Sequence, residues 1–230
     1  MFFYSPGYLT IMVVGLILGL VTQSWIRGAY RKWSRVALVT GMSGAEVARR
    51  MLDDNGLRDV AIEQVGGSLT DHYDPRARVL RLSTDVYNGR TVASAGVAAH
   101  EAGHAVQHAN AYYPARFRQT LVPVANIGSQ LSWVLIFGGF FFARMAPAIG
   151  SWMVDFGVAA FFFAVLFQIV TLPVEFDASR RAVATLSQGL PPEQVAGARA
   201  VLSAAAMTYV AAALVAIMNF IYLLGLTRRN

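Results

Sequence analysis

The sequence contains no cysteine and few charged residues, which make up 14% of the chain. The first absence excludes disulfide bonds and metal sites built from thiolates. The second places the chain well below ordinary soluble domains, in which about 25% of residues are charged. Hydrophobic residues reach 56%, against roughly 45–50% in such domains. This excess has to be hidden in a core or in lipid, so the composition argues against a purely soluble protein.

Four apolar stretches are long enough to cross a bilayer, which takes about 20 residues of helix. They run near Tyr8–Ile26, Leu121–Phe142, Trp152–Leu172 and Ala204–Leu226. The first stretch lies where a signal peptide would, but no basic residue precedes it and no small-residue cleavage site follows it. Basic residues come directly after it, which is typical of an uncleaved anchor.

The basic residues predict how the chain is oriented. Of the 19 Lys and Arg residues, 13 lie between the first and second spans and three lie between the third and fourth. The positive-inside rule then places both connections in the cytoplasm and the N-terminus outside. Arg228 and Arg229 would lie outside, against the rule. The net charge of +6 therefore predicts a lipid bilayer as partner and no nucleic acid.

The segment between the first two spans has the pattern of a small α+β unit. Ser43-x-x-Glu46 is a capping box that opens a helix ending near Asn55. Residues 60–65 and 79–83 have strand character, and a helix is predicted for Arg90–Asn110. After the third span, Pro173 is expected to open a further helix.

These elements give a three-part division of the chain. The predicted parts are an anchor over 1–26, a cytoplasmic part with a small sheet over 27–119, and a membrane domain with three further spans over 120–230.

The motif His100-Glu101-Ala102-Gly103-His104 carries the strongest chemical signal. On a helix, two histidines four residues apart lie on one face, about 6 Å apart along the axis, and can bind one Zn²⁺. The glutamate beside the first histidine can reach a metal-bound water and act as general base. The sequence thus predicts one zinc ion, with His100 and His104 as ligands and Glu101 as catalytic base.

A catalytic zinc site needs a third protein ligand. His108 continues the four-residue series but lies two turns from His100, too far to share the metal. The metzincin extension is absent, because Gln107 and Asn110 stand where it requires glycine and histidine.

A carboxylate from another helix is the remaining source of a third ligand. Glu175 is the best candidate and Asp177 its competitor, although Asp177 is also typical of a first-turn acid that complements the helix dipole. Two spans separate His104 from Glu175, and an even number returns the chain to the same side of the membrane. We therefore expect the third ligand within 173–190, at Glu175.

The chain resembles the YugP-type neutral zinc metallopeptidases along nearly its whole length. More distantly it is similar to the HtpX heat-shock protease and CAAX prenyl-protease group. In that group Glu-Phe-x-Ala-Asp supplies the third ligand, which corresponds to Glu175 here, and its final acid is replaced by Ser179. The segments that carry the resemblance are Phe3-Tyr4-Ser5-Pro6, Asp71–Pro75, Ala98–Gln107, Leu172–Arg181 and Ala205–Tyr209.

The resemblance implies an α-helical integral membrane protein with about four transmembrane helices and a small α+β gluzincin-like catalytic unit. It also implies substrates bound by strand addition to the sheet edge. The location expected is a bacterial inner membrane, with the active site placed in the cytoplasm by the distribution of basic residues. The expected activity is that of a membrane-bound zinc metalloendopeptidase acting on protein or peptide substrates, with membrane protein quality control as a candidate role. The sequence leaves the oligomeric state open.

Two alternative functions stay open on the residues alone. One is a zinc amidase acting on a non-protein substrate, and the other is a non-catalytic membrane partner or chaperone. Tyr209 is a further catalytic candidate, as a donor to the tetrahedral intermediate, against the alternative of an interfacial tyrosine. His72 is a candidate for oxyanion stabilisation or substrate binding, against the alternative of a polar loop or turn residue.

Overall fold

A computed structural model of the protein describes residues 5–67 and 70–227. Arg228 and Arg229 lie outside the described residues. The helices and strands follow in chain order. They are α1 (Pro6–Trp33), α2 (Gly44–Asp54), β1 (Ala61–Val65), β2 (His72–Asp74), β3 (Val79–Ser83), α3 (Thr84–Asn88), α4 (Val92–Ala109), α5 (Tyr113–Phe142), α6 (Pro147–Leu186) and α7 (Pro192–Thr227).

Within the described ranges, α1, α5, α6 and α7 are long and apolar enough to cross a membrane. Each contains one of the four stretches predicted from the sequence, and each extends beyond it. The prediction of a mostly helical protein with four candidate membrane spans and a small sheet is confirmed for the described residues.

The chain divides into two compact units. The helical unit comprises Met1–Val21, Phe117–Leu172 and Tyr209–Asn230. Its core is built by buried side chains of α5, α6 and α7, namely Ile136, Val154, Val158, Phe161, Val165 and Leu223. The mixed unit comprises Thr22–Arg116 and Pro173–Thr208 and contains the sheet and α4. The predicted three-part division stays a prediction.

The mixed unit is organised around α4 and α2. The Ser43 hydroxyl caps α2 by accepting from the Glu46 backbone N–H, and the Glu46 carboxylate accepts from the Ser43 backbone N–H. The predicted capping box is therefore confirmed. The amphipathic α2 buries Met51 and Leu52 against the core that also takes Leu80 and Leu82 of β3. This core fixes the sheet and α4 to one another.

The sheet has the order β1-β3-β2, with β1 parallel and β2 antiparallel to β3. The predicted strands at 60–65 and 79–83 are confirmed as β1 and β3. Strand β2 was missed, and His72 lies in it rather than in a turn. A three-residue edge strand is too short to show the alternating pattern that identifies strands in a sequence. The Asp74 carboxylate accepts from the Arg76 and Ala77 N–H groups and so forms the β2–β3 turn.

Helix α6 runs unbroken from Pro147 to Leu186, with Pro173 in its interior. The prediction that Pro173 opens a helix is therefore wrong, and so is the interpretation of Asp177 as a first-turn acid. Inside a helix, proline lacks the hydrogen bond to the carbonyl four residues earlier, and its ring crowds that carbonyl. Membrane helices tolerate this loss where neighbouring groups compensate for it. The long apolar segment before Pro173 and the helical segment after it thus form one helix.

Gly103 allows a close approach of α4 and α6. A β-carbon at Gly103 would lie 2.8 Å from the Ala178 carbonyl oxygen, closer than real β-carbons come to other atoms. The two helix backbones are in contact at this point, three residues from Glu175 along α6.

Gly103→Ala is expected to lower the free energy of unfolding by about 1–3 kcal/mol, the usual cost of overpacking. Thermal unfolding of the detergent-solubilised protein measures the change. Gly28→Ala is the matched control, because a β-carbon at Gly28 in α1 meets nothing within 4 Å and alanine favours the helix. Equal melting temperatures for Gly103→Ala and wild type would contradict the close approach.

Candidate metal centre

Helix α4 presents the two motif histidines on one face. Thr91 caps the helix by accepting from the Ser94 N–H, and Asn110 follows its last residue. The predicted helix over Arg90–Asn110 is thus confirmed as Val92–Ala109, slightly shorter at both ends. The imidazole rings of His100 and His104 lie one turn apart, with centroids separated by 4.7 Å. The geometry expected for two ligands of one ion is therefore present on a continuous helix.

Glu175 of α6 reaches both imidazoles. Its Oε2 atom lies 3.2 Å from His100 Nε2 and 3.8 Å from His104 Nε2. Glu175 is buried, with 3% of its surface exposed, so its carboxylate has lost most of its hydration. The structure thus brings together the three residues that the sequence predicts as ligands.

The donor set fits a catalytic zinc ion. Two histidines and one glutamate are one of the ligand sets of catalytic zinc. Bonds of 2.0–2.2 Å in a tetrahedral arrangement place two ligand atoms about 3.3 Å apart. The distances of 3.2 and 3.8 Å from Glu175 Oε2 to the two Nε2 atoms bracket that value. A hydrogen bond between one histidine and one carboxylate would not require a second imidazole near the same Glu175 oxygen.

Glu101 lies beside this group as a further acid. Ligand-type atoms of His100, Glu101 and His104 all lie within 4.8 Å of one another. Burial raises the pKa of the Glu101 carboxyl, positive charge on His104 and His100 acts against the rise, and the Glu175 charge adds to it. A carboxylate with a raised pKa is a better proton acceptor, which suits a general base.

The other nitrogen of each imidazole has a partner of its own. The Ser179 hydroxyl lies 3.1 Å from His100 Nδ1, and the Gln107 side-chain oxygen lies 3.0 Å from His104 Nδ1. Ser179 thus occupies the place of the acid in the related Glu-Phe-x-Ala-Asp motif and still contacts the first histidine. With Nδ1 engaged, each ring can offer Nε2 to a metal.

The charge environment of His104 favours a bound cation. Burial acts to lower the pKa of His104, but the neighbouring Glu175 and Glu101 carboxylates outweigh burial, and the net shift is upward. The same negative field that stabilises a proton on this imidazole stabilises a metal cation in its place.

The two competing candidates for third ligand have other partners. Asp177 Oδ2 accepts from Arg181 Nε at 2.6 Å and from the Gln107 amide at 2.9 Å. The ring of His108 packs against Tyr73 with centroids 5.9 Å apart. Burial lowers the pKa of His108, and the charges of Arg116 and His104 lower it further. Neither residue belongs to the His100–His104–Glu175 group.

The remaining candidates lie elsewhere. His72 is exposed on β2, and its Nδ1 contacts the Thr70 carbonyl at 2.8 Å. Tyr209 lies on α7 in the helical unit and is half-buried. Their roles in catalysis stay predictions.

Gln107 is a site residue that the sequence did not identify. In the sequence it stands only as a break in the metzincin pattern, yet its side chain is fully buried and hydrogen-bonded to His104. A signal was present, because residues three apart on a helix lie on the same face. The hydrogen bonds of Gln107 to α6 could not be predicted from the spacing of residues along α4.

Comparison with known proteins agrees with this geometry. Residues 8–228 match the family described as "Putative neutral zinc metallopeptidase". The chain is 43% identical over 216 residues to the "Putative membrane protease YugP" of Bacillus subtilis (strain 168), with 93% of this chain and 92% of the relative covered. No solved structure matches the chain. The chain therefore belongs to the neutral zinc metallopeptidase family defined by that match.

Proposed function

We propose that the protein is a membrane-bound zinc metalloendopeptidase whose single zinc ion is held by His100, His104 and Glu175. One observation carries the proposal: a single Glu175 oxygen lies 3.2 Å and 3.8 Å from the Nε2 atoms of the two motif histidines. The three donors come from α4 and α6, whose backbones meet at Gly103 and Ala178. The site is thus assembled by packed helices rather than by mobile side chains.

Zinc bound there would polarise the scissile carbonyl and lower the pKa of a coordinated water towards about 7. The residues of the chain supply the rest. Glu101 lies next to His100, takes a proton from the attacking water and returns it to the leaving amine. The burial that raises its pKa keeps the carboxylate basic enough for that first transfer.

The reaction class is hydrolysis of peptide bonds. The name of the Bacillus subtilis relative describes a membrane protease, and four helices of this chain are apolar enough to span a bilayer. We therefore propose protein or peptide substrates that meet the enzyme at a membrane, with quality control of membrane proteins as the physiological role.

The test begins with the purified protein in detergent. Metal analysis is expected to find one zinc per chain, and a denatured soluble protein is expected to be cut. A peptide blocked at both ends distinguishes endopeptidase from exopeptidase activity. Chelation of zinc is expected to abolish cleavage, and added zinc to restore it. Zinc binding without cleavage of either substrate would instead favour an amidase acting on a non-protein compound.

The membrane location and sidedness form a second part of the proposal. We place the protein in the bacterial inner membrane with its active site facing the cytoplasm. The support is the charge distribution, in which 13 basic residues lie between the first two candidate spans and three lie between the last two.

Ala77→Cys tests this orientation. Ala77 is exposed in the β2–β3 turn, and the chain has no other cysteine. A membrane-impermeant thiol reagent is expected to leave it unlabelled in intact cells and to label it after lysis. The control is Ala146→Cys between α5 and α6, on the side assigned to the outside, which should be labelled in intact cells. Labelling of Ala77→Cys from outside would invert the topology.

A further inference from the structure

We propose that Gln107 is a positioning residue that fixes the proton of His104 on Nδ1 and so directs the Nε2 lone pair to the metal. The inference rests on the proposed zinc function and extends it to a residue outside the motif. It is carried by three hydrogen bonds of one fully buried side chain and by a fourth that Arg181 donates to one of its partners.

The orientation of the Gln107 amide is determined by its neighbours on α6. Its nitrogen lies 2.7 Å from the Val174 carbonyl and 2.9 Å from Asp177 Oδ2. A backbone carbonyl can only accept a hydrogen bond, and so can an ionised carboxylate. The amide NH₂ must therefore face both groups, and the reversed amide would place an oxygen against two acceptors.

The amide oxygen then faces His104, and this determines the tautomer. Gln107 Oε1 lies 3.0 Å from His104 Nδ1 and can only accept. His104 Nδ1 must carry a hydrogen, so in the neutral ring Nε2 carries the lone pair. That nitrogen is the one 3.8 Å from Glu175 Oε2.

The two histidines differ in this respect. His100 Nδ1 faces the Ser179 hydroxyl, which can donate or accept and so suits either tautomer. Of the two groups that face an Nδ1 atom, only the Gln107 oxygen beside His104 selects one tautomer. The network also links α4 to α6, because Gln107 bonds to residues on either side of Glu175.

Asp177 and Arg181 complete the chain of contacts. Arg181 Nε donates to Asp177 Oδ2 at 2.6 Å, the same oxygen that receives the Gln107 amide. The guanidinium holds that carboxylate in place one helical turn away. Asp177, the competing candidate for third ligand, thus holds Gln107, which in turn contacts the proposed ligand His104.

Gln107→Met is the first test, because methionine has nearly the same length and cannot hydrogen-bond in this way. Zinc affinity, measured by competition with a chromophoric chelator, is expected to fall about 10–100-fold, the usual cost of losing a partner that orients a ligand. The visible spectrum of the Co²⁺-substituted protein is expected to shift, since the orientation of one imidazole changes. Unchanged affinity and spectrum would overturn the inference.

Val106→Ala separates positioning from packing. Val106 is the buried neighbour of Gln107 on α4, with 3% of its surface exposed. Its truncation is expected to lower the melting temperature and to leave zinc affinity and the Co²⁺ spectrum unchanged. An equal loss of affinity in Val106→Ala and Gln107→Met would show that Gln107 contributes packing alone.

A paired exchange tests the hydrogen-bond logic itself. Gln107→Glu keeps an acceptor for His104 but sets a second carboxylate against Asp177, so zinc affinity is expected to fall. Asp177→Asn in the same chain is expected not to rescue the affinity, because the Val174 carbonyl still faces the new carboxylate and Arg181 Nε still requires an acceptor at position 177. Wild-type affinity in the double variant would refute the network. Failure of the wild type to bind zinc would instead refute the proposed function.

Discussion

Glu101→Gln is expected to reduce peptidase activity by about 10²–10⁴-fold, the range that a general base contributes, while zinc content stays at the wild-type level. Glutamine has nearly the same shape as glutamate but cannot take a proton from water. The three proposed ligands, His100, His104 and Glu175, are untouched by the change, so metal binding should persist. The measurement pairs metal analysis with the initial rate of protein cleavage on the same preparation.

Glu193→Gln is the matched control, because it makes the same chemical change at an exposed position in the first turn of α7. Its activity and zinc content are expected to equal those of the wild type. If Glu101→Gln kept more than about a tenth of the wild-type rate, far above the range for loss of a general base, Glu101 would not be the base.

Glu175→Gln is expected to weaken zinc binding by more than about 100-fold. Residues that merely orient a ligand already contribute about 10–100-fold, and this change removes a charged ligand itself. The exposed fraction of Glu175 is only 3%, and glutamine preserves its volume, so the fold is expected to persist. Competition with a chelator measures the affinity, and circular dichroism reports the helical content.

His108→Ala is the control for this experiment. His108 packs on Tyr73 rather than joining Glu175, so zinc affinity is expected to stay at the wild-type level. Zinc retained by Glu175→Gln and lost by His108→Ala would reverse the ligand assignment. Zinc lost only by Asp177→Asn would transfer the third position to Asp177.

The elements that could be predicted are those whose signal is local in the sequence. The capping box of Ser43 and Glu46, the helix around His100 and the four apolar stretches each follow from spacing within one segment. Glu175 was reached by counting spans, since two spans return the chain to one side of the membrane. Its 3.2 Å distance to His100 agrees with that count.

The elements that could not be predicted depend on contacts between distant segments. Strand β2 exists because His72 and Asp74 pair with β3, and three residues alone carry too little pattern. The local sequence around Pro173 is typical of a helix start, but α6 continues through this residue. The role of Gln107 depends on Val174 and Asp177, 67 and 70 residues away in the chain.

The close contact between α4 and its neighbours has a consequence for metal exchange. A β-carbon at Gly96 would touch Ala198 of α7 at 3.4 Å, and one at Gly103 would meet Ala178 of α6 at 2.8 Å. Alanine and glycine have no side-chain rotamers, so these helix contacts cannot rearrange by a change of side-chain conformation. The distance between the proposed ligands on α4 and α6 is therefore set by the packing of the helix backbones. We therefore expect loss of the proposed zinc ion to leave the protein folded, so that the emptied site can be refilled.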